Sequence, residues 1–106
     1  MATYLVTGCN RGIGLEIVRQ LTARSDEVLA VCRQSSDALK ATGAEVLAGI
    51  DVGQGADMPK LKAAIGSRTI DVVLNNAGIL RRDALGEIDY EGMMEQFRVN
   101  TLGPLR

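Results

Sequence analysis

Three glycines in the stretch TGCNRGIG, at positions 8, 12 and 14, have a spacing typical of a loop that binds a phosphate group. In such a loop one glycine turns the chain, one lets the backbone approach a pyrophosphate, and one lets a helix pack on a strand. The alternative is a tight strand-to-helix turn that binds nothing. The binding hypothesis covers the following residues: Thr7, Gly8, Asn10, Arg11, Gly12, Ile13 and Gly14.

Strand-like and helix-like segments alternate along the chain and predict the elements that position this loop. Strands are predicted within 3–8, 27–33, 44–52 and 69–78, and helices over 13–24, 56–66 and from about residue 90 onward. Asp57, Pro59 and Gly66 mark the ends of the second helix, and Asp89 can cap the last. This alternation predicts an α/β fold with a parallel sheet and helices on both faces.

Apolar residues at helical spacing support the first helix, and in the last helix they are predicted to face inward. In the first helix these are Ile13, Ile17, Val18 and Leu21, and in the last helix Met93, Met94 and Phe97. The paired arginines at 81–82 are interpreted as part of a solvated loop.

Unusual residues lie at the carboxyl end of every predicted strand. Besides the glycine-rich loop, they are Cys32 and Arg33, Asp51 and Val52, and the segment NNAG at 75–78. The carboxyl ends of parallel strands lie at one edge of the sheet, where such folds bind ligands. The sequence therefore predicts one crevice lined by all four groups.

Four motifs resemble the short-chain dehydrogenase/reductase family, and its carbonyl-reductase-like branch in particular. They are TGCNRGIG, DV at 51–52, NNAG at 75–78 and FRVNTLG at 97–103, in family order along the whole chain. The resemblance implies a Rossmann-type sheet with strand order 3-2-1-4, and an oxidoreductase that transfers a hydride between a carbonyl and an alcohol. A flavin or methyl-donor protein fits the glycine loop but not NNAG with VNTLG.

The resemblance also implies roles for individual residues. Asp51 and Val52 contact the adenine, while Asn75, Asn76, Ala77 and Gly78 brace the sheet and line the cofactor's ribose. For Asp51 the alternative is an ordinary turn aspartate.

The resemblance implies that Asn100 is the family's active-site asparagine, whose main chain supports a water in a proton relay. Pro104 lacks the N–H that would bond to the Asn100 carbonyl, so we predict a kinked helix with a free carbonyl. The alternative is a helix that ends at Gly103.

The choice of cofactor is predicted from charge. At the end of the second strand, an NAD-dependent protein places a carboxylate that accepts from the ribose 2′-hydroxyl. Here Cys32 and Arg33 occupy that place, and Arg11 lies in the glycine-rich loop. Two guanidinium groups give forked, charge-assisted hydrogen bonds to a 2′-phosphate, so we predict NADP(H). The alternative is that both arginines are solvated surface residues.

The family's catalytic tyrosine and lysine, spaced Y-x-x-x-K, do not occur in this sequence. Tyr4 is followed four residues later by Gly8, and Tyr90 by Met94. Residues 1–106 are therefore predicted to be a dinucleotide-binding domain truncated before the catalytic segment, inactive alone. The full-length protein is expected to be a homo-oligomer that acts on a small carbonyl or alcohol. The alternative is a non-catalytic dinucleotide-binding or interaction fragment.

Composition excludes several other classes of protein. The chain has 106 residues, 12 basic and 13 acidic, with no histidine, so nucleic-acid binding and a zinc site are not expected. Strand-like sequence from about Thr3 leaves no room for a signal peptide, and we predict a cytoplasmic protein without membrane spans. Cys9 and Cys32 are predicted to be reduced thiols near one another, with a disulfide or redox switch as the alternative.

Overall fold

The computed structural model describes residues 2–79 and 86–105, and it contains a four-stranded parallel sheet in the order β3-β2-β1-β4. The strand order and the parallel pairing predicted from the sequence are confirmed. The predicted loop arginines at 81–82 lie outside the described residues. The elements are β1 Thr3–Thr7, α1 Gly12–Ala23, β2 Glu27–Val31, α2 Asp37–Lys40, β3 Glu45–Leu47, α3 Met58–Ile65, β4 Val72–Leu74, α4 Tyr90–Phe97 and α5 Gly103–Leu105.

Helices cover both faces of the sheet, as predicted. On one face, α1 and α2 bury Val18, Leu21 and Leu39 against alternate residues of β1 and β2. On the other face, Met58, Leu61 and Ile65 of α3 pack against Leu5, Val31 and Ile50. Alternate strand residues point to opposite faces, so these near-continuous apolar strands serve two cores at once.

Ile13 does not face the core, although it shares the helical spacing of the buried residues of α1. Its side chain is 75% exposed, whereas Val18 and Leu21 on the same helix are buried. Ile13 is the second residue of α1, at the end nearest the glycine-rich loop. Val18 and Leu21, further along the helix, have the same spacing and do face the core.

Two strands are shorter than predicted, and a short helix was missed. β3 ends at Leu47, and Gly49 has a φ of +77°, a left-handed conformation that an extended strand does not contain. β4 ends at Leu74, whose carbonyl accepts from the N–H of Asn76 in a tight turn. The polar segment after β2 forms α2, because Ser36 caps its first turn by accepting from the Leu39 N–H.

The helix predicted from residue 90 forms, with Asp89 as its cap, but its apolar stripe is not buried. Asp89 Oδ1 accepts from the Gly92 N–H at 3.0 Å. Met93, Met94 and Phe97 are each about half exposed, so the prediction that they face inward is wrong. Among the described residues no element covers this stripe completely.

The last helix does not end at Gly103, because helical structure continues from Phe97 to Leu105. Arg98–Leu102 form a wide π-type turn, in which the Gly103 N–H donates to the carbonyl five residues earlier, and Gly103–Leu105 add a further helical turn. Helix widening of this kind occurs where a regular hydrogen-bond ladder is interrupted, here next to Pro104. Within the described ranges, none of the helices has the length and apolar character needed to cross a membrane.

Candidate functional site

The glycine-rich loop between β1 and α1 has the backbone geometry that its sequence predicts. Gly8 and Gly12 have φ values of +66° and +63°, which side chains disfavour. A Cβ on Gly14 would overlap the Gly8 carbonyl oxygen and lie 2.6 Å from Asn76 Nδ2. The three glycines therefore turn the chain and allow α1 to start close against the end of β4.

The start of α1 is open to an anion. In the described part of the chain, no side chain caps this helix, and its N-cap residue Arg11 is exposed. The first N–H groups of a helix lack intrahelical acceptors and carry the positive end of the helix dipole. These groups can bind a phosphate at the point where Gly12 meets the cleft.

Hydrogen bonds connect the glycine-rich loop to the segment after β4. The Ala77 N–H donates to the buried Thr7 Oγ1 at 2.9 Å, and Asn76 Nδ2 donates to the Gly8 carbonyl at 3.0 Å. A Cβ on Gly8 would lie 2.8 Å from the Ala77 Cα, so the two backbones are in close contact. These contacts fix the loop on the side of β4.

The loop after β2 carries Arg33 and is joined to the glycine-rich loop by Ser36. Ser36 Oγ donates to the Asn10 carbonyl at 2.7 Å while accepting from the Leu39 N–H. Arg11 and Arg33 are both exposed and both line one cleft. Ser36 therefore holds the two arginine-bearing segments beside each other without neutralising either charge.

The loop after β3 carries Asp51 and is held by two carboxylates. Asp51 Oδ1 accepts from the Gly53 N–H at 2.8 Å, and Asp57 Oδ2 accepts from the Asp51 N–H at 2.9 Å. The Asp51 N–H and the nearby Lys60 ammonium lower the pKa of Asp57 below its usual value. Asp57 stands at the N-cap position of α3 but, in the part of the chain described, stabilises this loop and does not cap the helix.

Asn100 lies in the π-type turn and pairs with the backbone after β4. Its Oδ1 accepts from the Ile79 N–H and its Nδ2 donates to the Ile79 carbonyl, both at 2.8 Å. A Cβ on Gly78 would lie 3.3 Å from Asn100 Oδ1. The side chain thus holds the last segment of the cleft wall, while the role of its main chain stays a prediction.

These loops enclose one cleft of about 810 Å³ at the carboxyl ends of the strands, within the range of small-molecule sites. Of the sequence-predicted site residues, ten line it: Gly8, Asn10, Arg11, Gly12, Arg33, Asp51, Val52, Asn76, Ala77 and Gly78. The remaining five do not line it: Thr7 and Gly14 are buried behind it, Ile13 and Asn75 are exposed beside it, and Asn100 holds one of its wall segments.

The two cysteines are buried, free thiols. Cys32 lines the cleft, whereas Cys9 Sγ contacts the carbonyls of Val6 and Val31 at 3.2 Å each. Burial and then the neighbouring Cys32 raise the pKa of Cys9 to about 12, and burial raises the pKa of Cys32. Both groups are therefore protonated at neutral pH, a state of low reactivity.

Sequence reasoning missed three residues that shape the cleft. Ser36 joins the two arginine-bearing loops, Asp57 fixes the Asp51 loop, and Ile79 pairs with Asn100. A serine followed directly by an acidic residue, as in Ser36-Asp37, is a weak signal for a helix start that could have identified Ser36. For Ile79 the sequence holds no signal, because its contact uses only backbone atoms.

A family model described as "short chain dehydrogenase" matches residues 2–106. A 1-hydroxy-2-glutathionyl-2-methyl-3-butene dehydrogenase from a Rhodococcus species is 37% identical over the whole chain. An NADPH-bound carbonyl reductase from chicken fatty liver superposes with a TM-score of 0.79 at 27% identity and 99% coverage of this chain. A 4-hydroxyisoleucine dehydrogenase complexed with NADH has a TM-score of 0.86 and covers 99% of this chain at 18% identity, which shows the fold alone.

The chain spans about half the length of these proteins. It covers 48% of the Rhodococcus dehydrogenase and of the carbonyl reductase, and 45% of the 4-hydroxyisoleucine dehydrogenase.

Proposed function

Since the chain belongs to the short-chain dehydrogenase family, we propose that its cleft binds NADP(H) in an oxidoreductase that interconverts a small carbonyl and its alcohol. The observation that carries the choice of cofactor is the pair of exposed arginines, Arg11 and Arg33, on one cleft. When bound, the cofactor supplies or accepts the hydride. The likeness to an NADPH-bound carbonyl reductase supports this choice and the carbonyl-reductase-like branch.

Different lining residues are proposed to bind different parts of the cofactor. The open start of α1 at Gly12 holds the pyrophosphate, and the two arginines hold the 2′-phosphate. Asp51 and Val52 face the adenine, and the segment from Asn76 to Gly78 faces the ribose. Cys32, which lines the same cleft, places no carboxylate where it would repel a 2′-phosphate.

A fluorescence titration of NADPH and NADH against the wild-type chain and its arginine variants tests the proposed cofactor choice. We expect Arg11→Ala and Arg33→Ala each to weaken NADPH binding about tenfold, because each removes a charge-assisted hydrogen bond. NADH binding should change by less than about twofold, since it lacks the 2′-phosphate.

Arg19→Ala is the matched control for that titration. Arg19 lies on the exposed face of α1, where it pairs with Glu16 at 3.5 Å. Two results would reject the 2′-phosphate assignment. One is that the Arg11 and Arg33 variants lose as much affinity for NADH as for NADPH; the other is that the Arg19 variant loses as much NADPH affinity as they do.

The chain by itself is proposed to bind cofactor without turnover. Neither Tyr4 nor Tyr90 has a lysine four residues later, so the sequence has no Y-x-x-x-K pair. We expect no oxidation of NADPH when the chain is mixed with aldehydes or ketones. The measurement is the absorbance of the reduced nicotinamide ring, which falls as NADPH is oxidised. Carbonyl-dependent oxidation would show that these 106 residues contain a proton donor of their own.

The full-length protein is proposed to form a homo-oligomer. Support comes from the half-exposed stripe of Met93, Met94 and Phe97 on α4, since exposed apolar patches often mark interfaces. Sedimentation equilibrium of the chain should give a mass above that of one copy at micromolar concentration. A monomer mass that persists at high concentration would contradict self-association through this helix.

A further inference from the structure

Two glycines and two valines interlock where the turn after α4 meets the loop after β3. A Cβ on Gly53 would lie 2.9 Å from Val99 Cγ2, and a Cβ on Gly103 would lie 3.1 Å from Val52 Cγ2. Each segment thus provides a glycine that makes room for the valine of the other. Gly53, Gly103 and Val99 are buried, so the contact is a packed one.

The same turn is held on its other side by Asn100. Asn100 follows Val99 directly, and its amide pairs with both backbone groups of Ile79 at 2.8 Å. The turn therefore lies between the loop after β3 and the segment after β4. Val52, Val99 and Ile79 all line the cleft, so a ligand there contacts both sides of this arrangement.

We infer that Gly53 and Gly103 are positioning residues that fix where Asn100 lies relative to the adenine side of the cleft. This role rests on the proposed function, because the part of the Asn100 main chain in the reaction is implied by the resemblance to the short-chain dehydrogenase/reductase family. Through the interlock, the loop that faces the adenine and the turn that carries Asn100 move as one unit. Cofactor held at Asp51 and Val52 consequently stabilises the pairing of Asn100 with Ile79.

Two hydrogen bonds hold the loop side of the interlock. The Gly53 N–H is fixed by Asp51 Oδ1 at 2.8 Å, and Asp51 is fixed in turn by Asp57. Valine in a helix has one strongly preferred side-chain rotamer, so Val99 has little freedom to turn aside. A methyl group added at Gly53 must therefore push the turn outward and pull Asn100 away from Ile79.

Hydrogen exchange of the Ile79 amide in the 106-residue chain tests this inference, because that N–H donates to Asn100 Oδ1. Gly53→Ala should lower its protection about tenfold or more, as overpacking of a buried contact usually does. Adding Val99→Ala removes Cγ2, the nearest atom, and should restore most of the protection, while the contact with Asp51 Oδ1 at 3.1 Å remains. Gly55→Ala is the matched control, since Gly55 is exposed and begins the next short turn.

A second pair keeps the test decisive if the Gly53 variant fails to fold. Gly103→Ala makes a milder collision, with Val52 Cγ2 at 3.1 Å and the Val52 carbonyl oxygen at 3.2 Å. Val52→Ala removes the first of these contacts and should restore part of the lost protection in the same exchange measurement. NADPH should raise Ile79 protection in the wild-type chain and less in the Gly53 variant. Unchanged protection in both glycine variants, or losses that the valine substitutions do not restore, would overturn the inference.

The NADPH titration separates this inference from the proposed function. A wild-type chain that binds no NADPH refutes the proposed function, whereas Ile79 exchange without ligand still decides whether the interlock positions Asn100.

Discussion

Helices α1 and α4 both carry an apolar stripe at helical spacing, yet only α1 buries it. Leu21 of α1 is 6% exposed against the sheet, whereas Met94 of α4 is 51% exposed. Helical periodicity identifies residues that share a face, because it depends only on the turn of the helix. Whether that face is covered depends on what else the fold places beside it, and α1 lies between β1 and β2 in sequence and on the sheet they form.

The starts of the two helices also differ: α4 has a side-chain cap, whereas α1, within the described residues, has none. Asp89 caps α4 with a hydrogen bond to the Gly92 N–H. At the start of α1, within the described residues, Arg11 gives no side-chain cap, and the first turn opens toward the cleft. A side-chain cap satisfies a helix for stability, whereas an open start leaves donors for a ligand. Of these two helices, the well-packed one is thus the one whose start leaves backbone donors available to a ligand.

The largest loss of stability is expected when a buried leucine of α1 is truncated. Leu21→Ala removes methyl groups from the packed core and should lower the free energy of unfolding by about 3 kcal/mol. Urea denaturation followed by circular dichroism measures this change. A loss below about 1 kcal/mol would show that α1 is loosely packed and that the contrast with α4 does not exist.

A much smaller effect is expected for the equivalent truncation in α4. Met94→Ala removes a side chain of similar size from a half-exposed position and should change the free energy of unfolding by less than about 0.5 kcal/mol. The same urea titration provides the value at a protein concentration low enough to keep the chain dissociated. A loss as large as that of Leu21→Ala would mean that the stripe on α4 is buried in solution.

The fold was predictable where it depends on local pattern and topology. Alternating apolar strands and helices, together with the resemblance, predicted the order β3-β2-β1-β4 and helices on both faces. Burial in the last helix was not predictable, because Met93 and Phe97 have the same spacing whether or not another element covers them. The short helix after β2 was missed because its four residues contain too few apolar positions to show a period.

The site was predictable to the level of its loops but not of its contacts. Glycine spacing identified Gly8, Gly12 and Gly14, because positive φ and close approach restrict those positions to one residue type. The hydrogen bond of Thr7 with the Ala77 N–H joins residues far apart in sequence. A backbone donor exists at almost every residue, so no sequence pattern indicates which one a distant side chain will bind.

The most direct test of the account is the ratio of NADPH to NADH affinity of the wild-type chain. Two arginines on one cleft should make NADPH bind at least about tenfold more tightly than NADH at low ionic strength, and the ratio should fall as salt screens them. Equal affinities, or tighter binding of NADH, would contradict the assignment of Arg11 and Arg33 to the 2′-phosphate.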